Sequence, residues 1–523
     1  MKGLPAETDF IVIGAGVAGL RAAIELAAAG RVLVLAKNDA LHSSTASTPG
    51  ATTAALSDEE ELILHLQDTL IAGDGLCLPE AVKILVEEGV ERIEELIAWS
   101  RQLDRNGTNL VFESEASYSH SHVLRSPGDS VGSQILRALH AKARTFKNIS
   151  ILEFEFAADL LTEVEQVTGV SLISDKGLPE EITCSAVMLA TGGLGQLYRN
   201  TTNPEVATGD GVAMASRAGA EIRDLEFVQF HPTVLYMKKA PRFLLSEGLR
   251  REGGYLRNIE MDRFMGKYHP LAEKGPADVV ARAIMHEMEI SRSKDPFVYL
   301  DLTHLNAVRV QKRFPRIYAT LMKNNIDITE DVIPIRPAAH RSIGGVRTNL
   351  DGKTSLGGLY AAGEAAATGV HGANRFASNS LLEALVYGAR AGRAMREEVK
   401  HARKSTTIPK KAAAQNGPVD AGTEELIGEI RDIMWKDAGI VRTRVGMQEA
   451  IRLLEAISPR VAHLRTRRSH EAANLHLAGL LVARSALGRE ESRGVHYRTD
   501  YPSHDDRKFL KHSVAQGEIT RFV

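Results

Sequence analysis

The chain has 523 residues, with 64 Lys and Arg against 66 Asp and Glu, for a formal charge of −2. Two abundant and nearly balanced signs exclude a basic nucleic-acid binder and give no electrostatic case for an anionic membrane surface. At 44% hydrophobic, a chain this long predicts about three domains, each able to bury its own core. Its two cysteines, Cys77 and Cys184, cannot make a disulfide framework, which points to a reducing compartment. The apolar runs at 10–17 and 20–29 are too short to span a bilayer, and the first residues lack a signal peptide's charged head and cleavage site. The expectation is a soluble, cytoplasmic, multidomain protein.

Residues 9–13 form a short β-rich run, followed by Gly14, Gly16 and Gly19 in a G-x-G-x-x-G turn. An Ala-rich helical stretch follows at 20–29, Gly30 stops it, and 31–36 reads as a second buried strand. Strand, glycine turn, helix, strand is the βαβ unit of a dinucleotide-binding sheet. Missing side chains let the backbone approach a pyrophosphate, whose charge meets the free N–H groups of the helix start. Nicotinamide binders place an acid at the end of the second strand to hold the ribose; Lys37 stands there instead.

Residues 58–147 read as largely helical, with a polar interruption at 106–129, and 149–190 turn β-rich. Glycines dominate 192–219, and a further glycine-rich stretch at 344–372 leads into a helix from Ser380 to about His401. Ala190-Thr-Gly-Gly193 and Leu359-Tyr-Ala-Ala-Gly-Glu364 each follow a strand and predict more backbone contacts to an extended ligand, with the Glu364 carboxylate accepting from ribityl or ribose hydroxyls. Residues 404–422 lack apolar period and mark a linker; 423–454, 459–464 and 471–487 have helical spacing. No repeat of solenoid period is present.

Several longer motifs resemble the flavoprotein subunits of succinate dehydrogenase and fumarate reductase, and within them the aspartate oxidase branch. They are the stretch from Asn203 to Gly211, Leu225-Glu-Phe-Val-Gln-Phe-His-Pro-Thr233, Ala277-Asp-Val-Val-Ala-Arg-Ala283, Pro337-Ala-Ala-His340, the run from His371 to Ser380, Gly439-Ile-Val-Arg-Thr443 and Glu491-Ser-Arg-Gly-Val-His496. The resemblance implies an α/β fold: a Rossmann-like FAD-binding domain of glutathione-reductase type, interrupted by an α+β capping domain, plus a C-terminal helical bundle. The implied boundaries are 1–224 and 342–403 for the FAD-binding domain, 225–341 for the cap, 404–422 for a linker and 423–523 for the helical domain. Carried over position by position, FAD would touch Ala15, Val17 and Ala18 beside the glycines, Lys37, the 44–51 loop with Ser44, Thr45, Gly50 and Ala51, Asp210, Glu364, Ser380 and Leu381. Respiratory members link FAD through a histidine where this chain has Ser44, so the resemblance implies non-covalent FAD; His42, two residues earlier, does not replace it.

Oxidising an amino dicarboxylate requires cations for its carboxylates, a flavin facing the reacting Cα–H and a group that manages a proton. Arg binds a carboxylate bidentately and stays charged, which favours Arg282 and Arg375 as clamps. His231 and His340 can donate to the carboxylates, with Ser246, Glu247 and Ser378 in support. By resemblance Arg282 also handles a proton, for which it needs a carboxylate partner or desolvation. The substrate ammonium wants an acid, and Glu115, ahead of His120-Ser-His122, competes with Glu113 for that role. No metal site is expected at His120 and His122, which lack a second ligand pair.

The implied reaction is oxidation of L-aspartate to iminoaspartate, hydride passing from Cα to flavin N5, with O2 or fumarate as acceptor. Quinolinate synthase would then be the pathway neighbour in NAD biosynthesis. A soluble fumarate reductase or succinate-oxidising flavoprotein, and a non-catalytic FAD-binding scaffold, are the alternatives. Two departures from the family bear on them. Residues 48–52 read Thr-Pro-Gly-Ala-Thr where many members have Ala-Gln-Gly-Gly-Ile, and Arg341 follows His340 where a Tyr is common. Arg341 either tightens the hold on a dicarboxylate or salt-bridges elsewhere.

Overall fold

The computed structural model describes residues 5–41, 52–53, 59–103, 111–114, 122–125, 131–173, 179–237, 242–377, 379–399, 422–461 and 466–523. The linker expected at 404–422 therefore lies outside the described residues except for Gly422, as does most of the 106–129 interruption. Its two described pieces, Val111–Ser114 and His122–Arg125, pair as antiparallel strands, with Thr52–Thr53 alongside.

Five parallel strands form the central sheet, in the order Leu359–Ala361, Ala186–Leu189, Phe10–Ile13, Val32–Ala36 and Ile149–Glu153. The three middle strands are buried at every residue, as a parallel sheet covered on both faces requires. Helix Val17–Leu26 covers one face and packs against helix Asn379–Val399. A strand meander, Phe156–Glu163, Gln166–Ile173 and Pro179–Thr183, leads back into the sheet.

Between the two glycine-rich returns lies a separate antiparallel sheet, ordered Val228–Leu235, Ile333–Ser342, Val298–Asp301 and Tyr255–Arg257. It has its own core, built on Leu235, Leu256, Phe264, Ile284, Leu300 and Ile335. Its first two strands pair with His231 opposite Ala338 and Gln229 opposite Arg341.

Helices Thr423–Asp437, Arg444–Ile457 and Arg467–Gly488 pack on one another, as helical spacing predicts for this end of the chain. Beyond them the chain adds something that spacing does not show. Strands Ser513–Gln516 and Ile519–Phe522 join a second sheet through Ile222–Arg223, with Ala515 opposite Ile222. Among the described residues no helix is long and apolar enough to cross a membrane.

A buried ionic lattice fastens this tail. Arg489 donates from Nε to Glu226 (2.7 Å) and from Nη1 to Glu491 (2.9 Å) and the Phe509 carbonyl, and its guanidinium lies 4.9 Å from the Phe227 ring centre. Arg489, Glu226 and Glu491 are all fully buried. Arg442 bonds the Glu226 carbonyl and His496 Nδ1, each at 2.7 Å. Removing one member of such a lattice leaves charge without a partner in low dielectric, which costs more than the intact pair contributes. Arg489→Met should destabilise the protein by about 3–5 kcal/mol, read from urea unfolding; a loss under 1 kcal/mol would show that the lattice is not the fastening.

Candidate active site

Two neighbouring cavities occupy the junction of the central sheet with the separate antiparallel sheet that holds Val228–Leu235 and Ile333–Ser342. The first opens at the carboxyl ends of the parallel strands, where ligands of such sheets bind. Its walls are the segments that leave those strands: Gly14–Ala18, Lys37–Ala40, Ala190–Gly192 and Ala362–Glu364, joined by Asp210, Ser380 and Leu381. The described residues expected to touch FAD thus come together, except Gly19, which does not line the cavity. Ser44, Thr45, Gly50 and Ala51 lie outside the described residues, and so does the test of the altered loop.

The chain fits a dinucleotide at this place. Gly14 has φ +114°, and a Cβ there would sit 2.1 Å from the Ala190 carbonyl oxygen, so only glycine lets the strand turn so tightly. Gly16 caps helix Val17–Leu26 without any side-chain bond, which leaves the first N–H groups for an anion. The polar residues around the cavity have more partners than spacing revealed. Lys37 Nζ bonds Thr208 and Asp210, each at 2.7 Å, and Glu471 at 2.9 Å. Asp210 also accepts from Asn474, and Arg467 donates to the Lys37 carbonyl and to Asn38. The rim of the cavity is therefore braced by the Arg467–Gly488 helix. One Glu364 oxygen accepts from the Ser342 N–H (3.0 Å) and hydroxyl (3.2 Å), and the other is 3.5 Å from Arg341.

The second cavity is lined by His231, Glu247, Arg282 and Arg375, among others. Four positions spread over 145 residues of chain thus meet in one place. Residues 374–377 line it and run on to Ser380 in the first cavity. The paired strands carry Gln229 into the second cavity and Arg341 into the first, so the two spaces share walls. Arg375 donates from Nε to Gln229 (3.0 Å) and from Nη1 to the Phe376 carbonyl (3.3 Å), both neutral acceptors. Arg282 pairs with a carboxylate, Asp278 one helical turn away at 2.9 Å, as the expected proton role would need. His340 stands behind His231, ring centres 5.7 Å apart, and bonds Thr202 at 3.0 Å. Ser246 does not line the cavity; its neighbour Glu247 does. Ser378 and Glu115 lie outside the described residues, as does any choice between Glu115 and Glu113.

Burial lowers the pKa of His231 to about 4, with Arg250 and Arg375 adding to the effect against the opposing Glu247. The Thr233 N–H donates to His231 Nδ1 (3.3 Å), so a neutral ring carries its proton on Nε2. His340 is also held well below its ordinary value, by burial and then by Arg375, His231 and Arg341. Burial alone would raise Glu247, but Arg250, His231, Arg251 and Arg375 outweigh it and keep the acid ionised. Arg375 is lowered to about 10, first by burial and then by Arg341, and remains a cation at neutral pH.

The alternatives left open for Arg341 are decided by Glu383. Its carboxylate, buried in helix Asn379–Val399, takes Arg341 at 2.7 Å, Thr368 at 2.6 Å and His371 at 2.9 Å. Arg341 is a structural ion pair and does not line the second cavity. Sequence reading missed the residues that finish this cavity: Gln229, Asn374 and a wall from the C-terminal segment, Ser492–Gly494, His496, Tyr497 and His504. The signal lay in the Glu491–His496 motif, which carries a resemblance but no chemistry of its own until it is placed.

Residues 9–381 match the family model of the FAD binding domain, and residues 428–521 that of the fumarate reductase flavoprotein C-term. The chain is 39% identical over 537 residues to the chloroplastic L-aspartate oxidase of Arabidopsis thaliana, covering 96% of this chain and 82% of that one. It is 38% identical to the L-aspartate oxidase of Vibrio cholerae, covering 95% and 96% of the two chains. The chain belongs to the L-aspartate oxidase family. Its FAD-binding fold extends to the wider group: a quinol fumarate reductase FrdA of E. coli superposes with a TM-score of 0.86 at 30% identity, over 99% of this chain and 96% of that one.

The depressed His231 has a measurable consequence in this family member. The unfolded state takes up the proton near pH 6.5 and the folded state only near pH 4, so stability is lost as pH falls between those values. The difference amounts to about 3 kcal/mol. Urea unfolding at pH 7 and pH 4.5 should show His231→Asn losing less stability than the parent; equal losses would place the histidine in water.

Proposed function

We propose that the protein oxidises L-aspartate to iminoaspartate in the cavity walled by His231, Glu247, Arg282 and Arg375, beside the FAD cavity. The observation that carries the reading is charge. Arg282 is matched by Asp278 and Arg341 by Glu383, whereas Arg375 has only neutral acceptors among the described residues. A guanidinium so placed favours an anion that brings its own charge.

Arg375 binds one carboxylate of the substrate. Arg282, which lines the same cavity, binds the other, and the Nε2–H of the neutral His231 donates to the same end. His340 keeps His231 in place by edge-to-face contact. Arg282 also exchanges a proton, relayed through Asp278. Glu247 stays ionised and balances the cations that line the cavity with it. The acid that meets the ammonium is Glu115 or its competitor Glu113. FAD, when bound, supplies the two-electron acceptor and is itself reoxidised by O2 or fumarate.

Ser44 supports a non-covalent cofactor, since it lacks a nucleophilic imidazole. The reading brings with it a cytoplasmic setting, supported by two free cysteines, and quinolinate synthase as the enzyme that consumes the product in NAD biosynthesis.

Anaerobic titration of the FAD-loaded protein should bleach the flavin with L-aspartate. Bleaching by succinate alone would instead support a succinate-oxidising flavoprotein, and no bleaching by either a scaffold. Arg375→Leu should lower kcat/KM for L-aspartate by about two to three orders of magnitude and leave FAD content unchanged.

A further inference from the structure

Arg282 has a second neighbour besides Asp278. Its guanidinium carbon lies 4.7 Å from the centre of the Tyr497 ring, within the range of a cation–π contact. Both residues line the second cavity. Tyr497 comes from the C-terminal segment, 215 positions along the chain from the arginine, so no local folding preference brings the two together. The ring is delivered by a fixed backbone. The Arg442 N–H donates to the Tyr497 carbonyl (3.1 Å), and the Thr499 N–H donates back to the Arg442 carbonyl (3.0 Å). On either side of Tyr497, His496 and Arg498 are fully buried.

We propose that Tyr497 is a positioning residue for Arg282: its ring face and the Asp278 carboxylate together hold the guanidinium in one orientation against the cavity. The physical need is clear. Arg282 is part-exposed, with 24% of its side chain accessible, and a long flexible side chain with one ion-pair partner can swing about that contact. Asp278, one turn earlier on the same helix, fixes Nη1 but not the plane of the fork. A flat aromatic surface fixes the plane, because guanidinium stacks face-on and keeps its N–H edges for a carboxylate. The inference rests on the reading of Arg282 as a substrate clamp.

Tyr497→Leu keeps the bulk and removes the ring; Tyr497→Phe keeps the ring and removes the hydroxyl. With FAD-loaded enzyme, Tyr497→Leu should lower kcat/KM for L-aspartate about ten-fold, with Tm and FAD affinity unchanged, and Tyr497→Phe should restore the parent value. In an Arg282→Leu background, Tyr497→Leu should cost nothing further. A Phe variant as poor as the Leu variant would assign the effect to the hydroxyl and overturn the proposal, as would a Leu variant with full activity. Equal losses from Tyr497→Leu with and without Arg282 would do the same, and so would a Leu variant that melts early or sheds FAD, since a ring that only orients Arg282 is dispensable for the fold. Full activity of Arg282→Leu by itself would instead remove the clamp reading, which separates failure of the premise from failure of the inference.

Discussion

The site turns on a half-buried guanidinium, Arg375, that stays charged and has no carboxylate bonded to it among the described residues, Glu247 acting on it only from a distance. Removing charge from water is expensive, and proteins ordinarily repay that cost with a carboxylate. Here Arg375 has an amide oxygen and a carbonyl instead, and burial brings its pKa down without neutralising it. The neighbouring cation, Arg341, is not left in this state, because Glu383 and Glu364 attend to it. Two arginines close in space are thus given opposite treatment. One is locked into the protein by carboxylates, and the other is bonded only to neutral acceptors.

That arrangement requires several remote stretches to be held rigidly. The strand pair Val228–Leu235 and Ile333–Ser342 carries both histidines and sets Gln229 beside Arg375. The residues after Ala373 bring Arg375 itself, and the tail docks directly on them. Gly494 has φ +52°, and a Cβ there would stand 2.2 Å from the Ala373 carbonyl oxygen. The Val495 N–H donates to that same oxygen, while the Gly494 N–H donates to Asp74. The ionic lattice around Arg489 continues through Glu491 to Arg493, so the fastened C-terminal segment is part of the cavity wall.

The βαβ unit was legible in sequence because its signals are local: strand, glycine turn and helix follow one another within 30 residues, and each fixes its own geometry. His231, Arg282 and Arg375 were legible only through motif resemblance, since nothing in their own segments says that they meet. What could not be read was pairing at a distance. Lys37 is held by Glu471, Arg341 by Glu383 and Arg282 by Tyr497, and each partner sits in an unremarkable helical or loop context. Glu383 looks like one more helical acid until its helix is buried. The helical spacing of the C-terminal region likewise conceals the strands at Ser513–Gln516 and Ile519–Phe522, whose pairing partner lies about 290 positions earlier in the chain.

That last pairing has a consequence for synthesis. A nascent chain that has emerged only to residue 488 can fold the parallel sheet, but it lacks the segment that closes the second cavity and the hairpin that anchors it. Residues 492–504, which wall that cavity, follow every other residue that lines it, so the pocket stays unfinished until they have emerged.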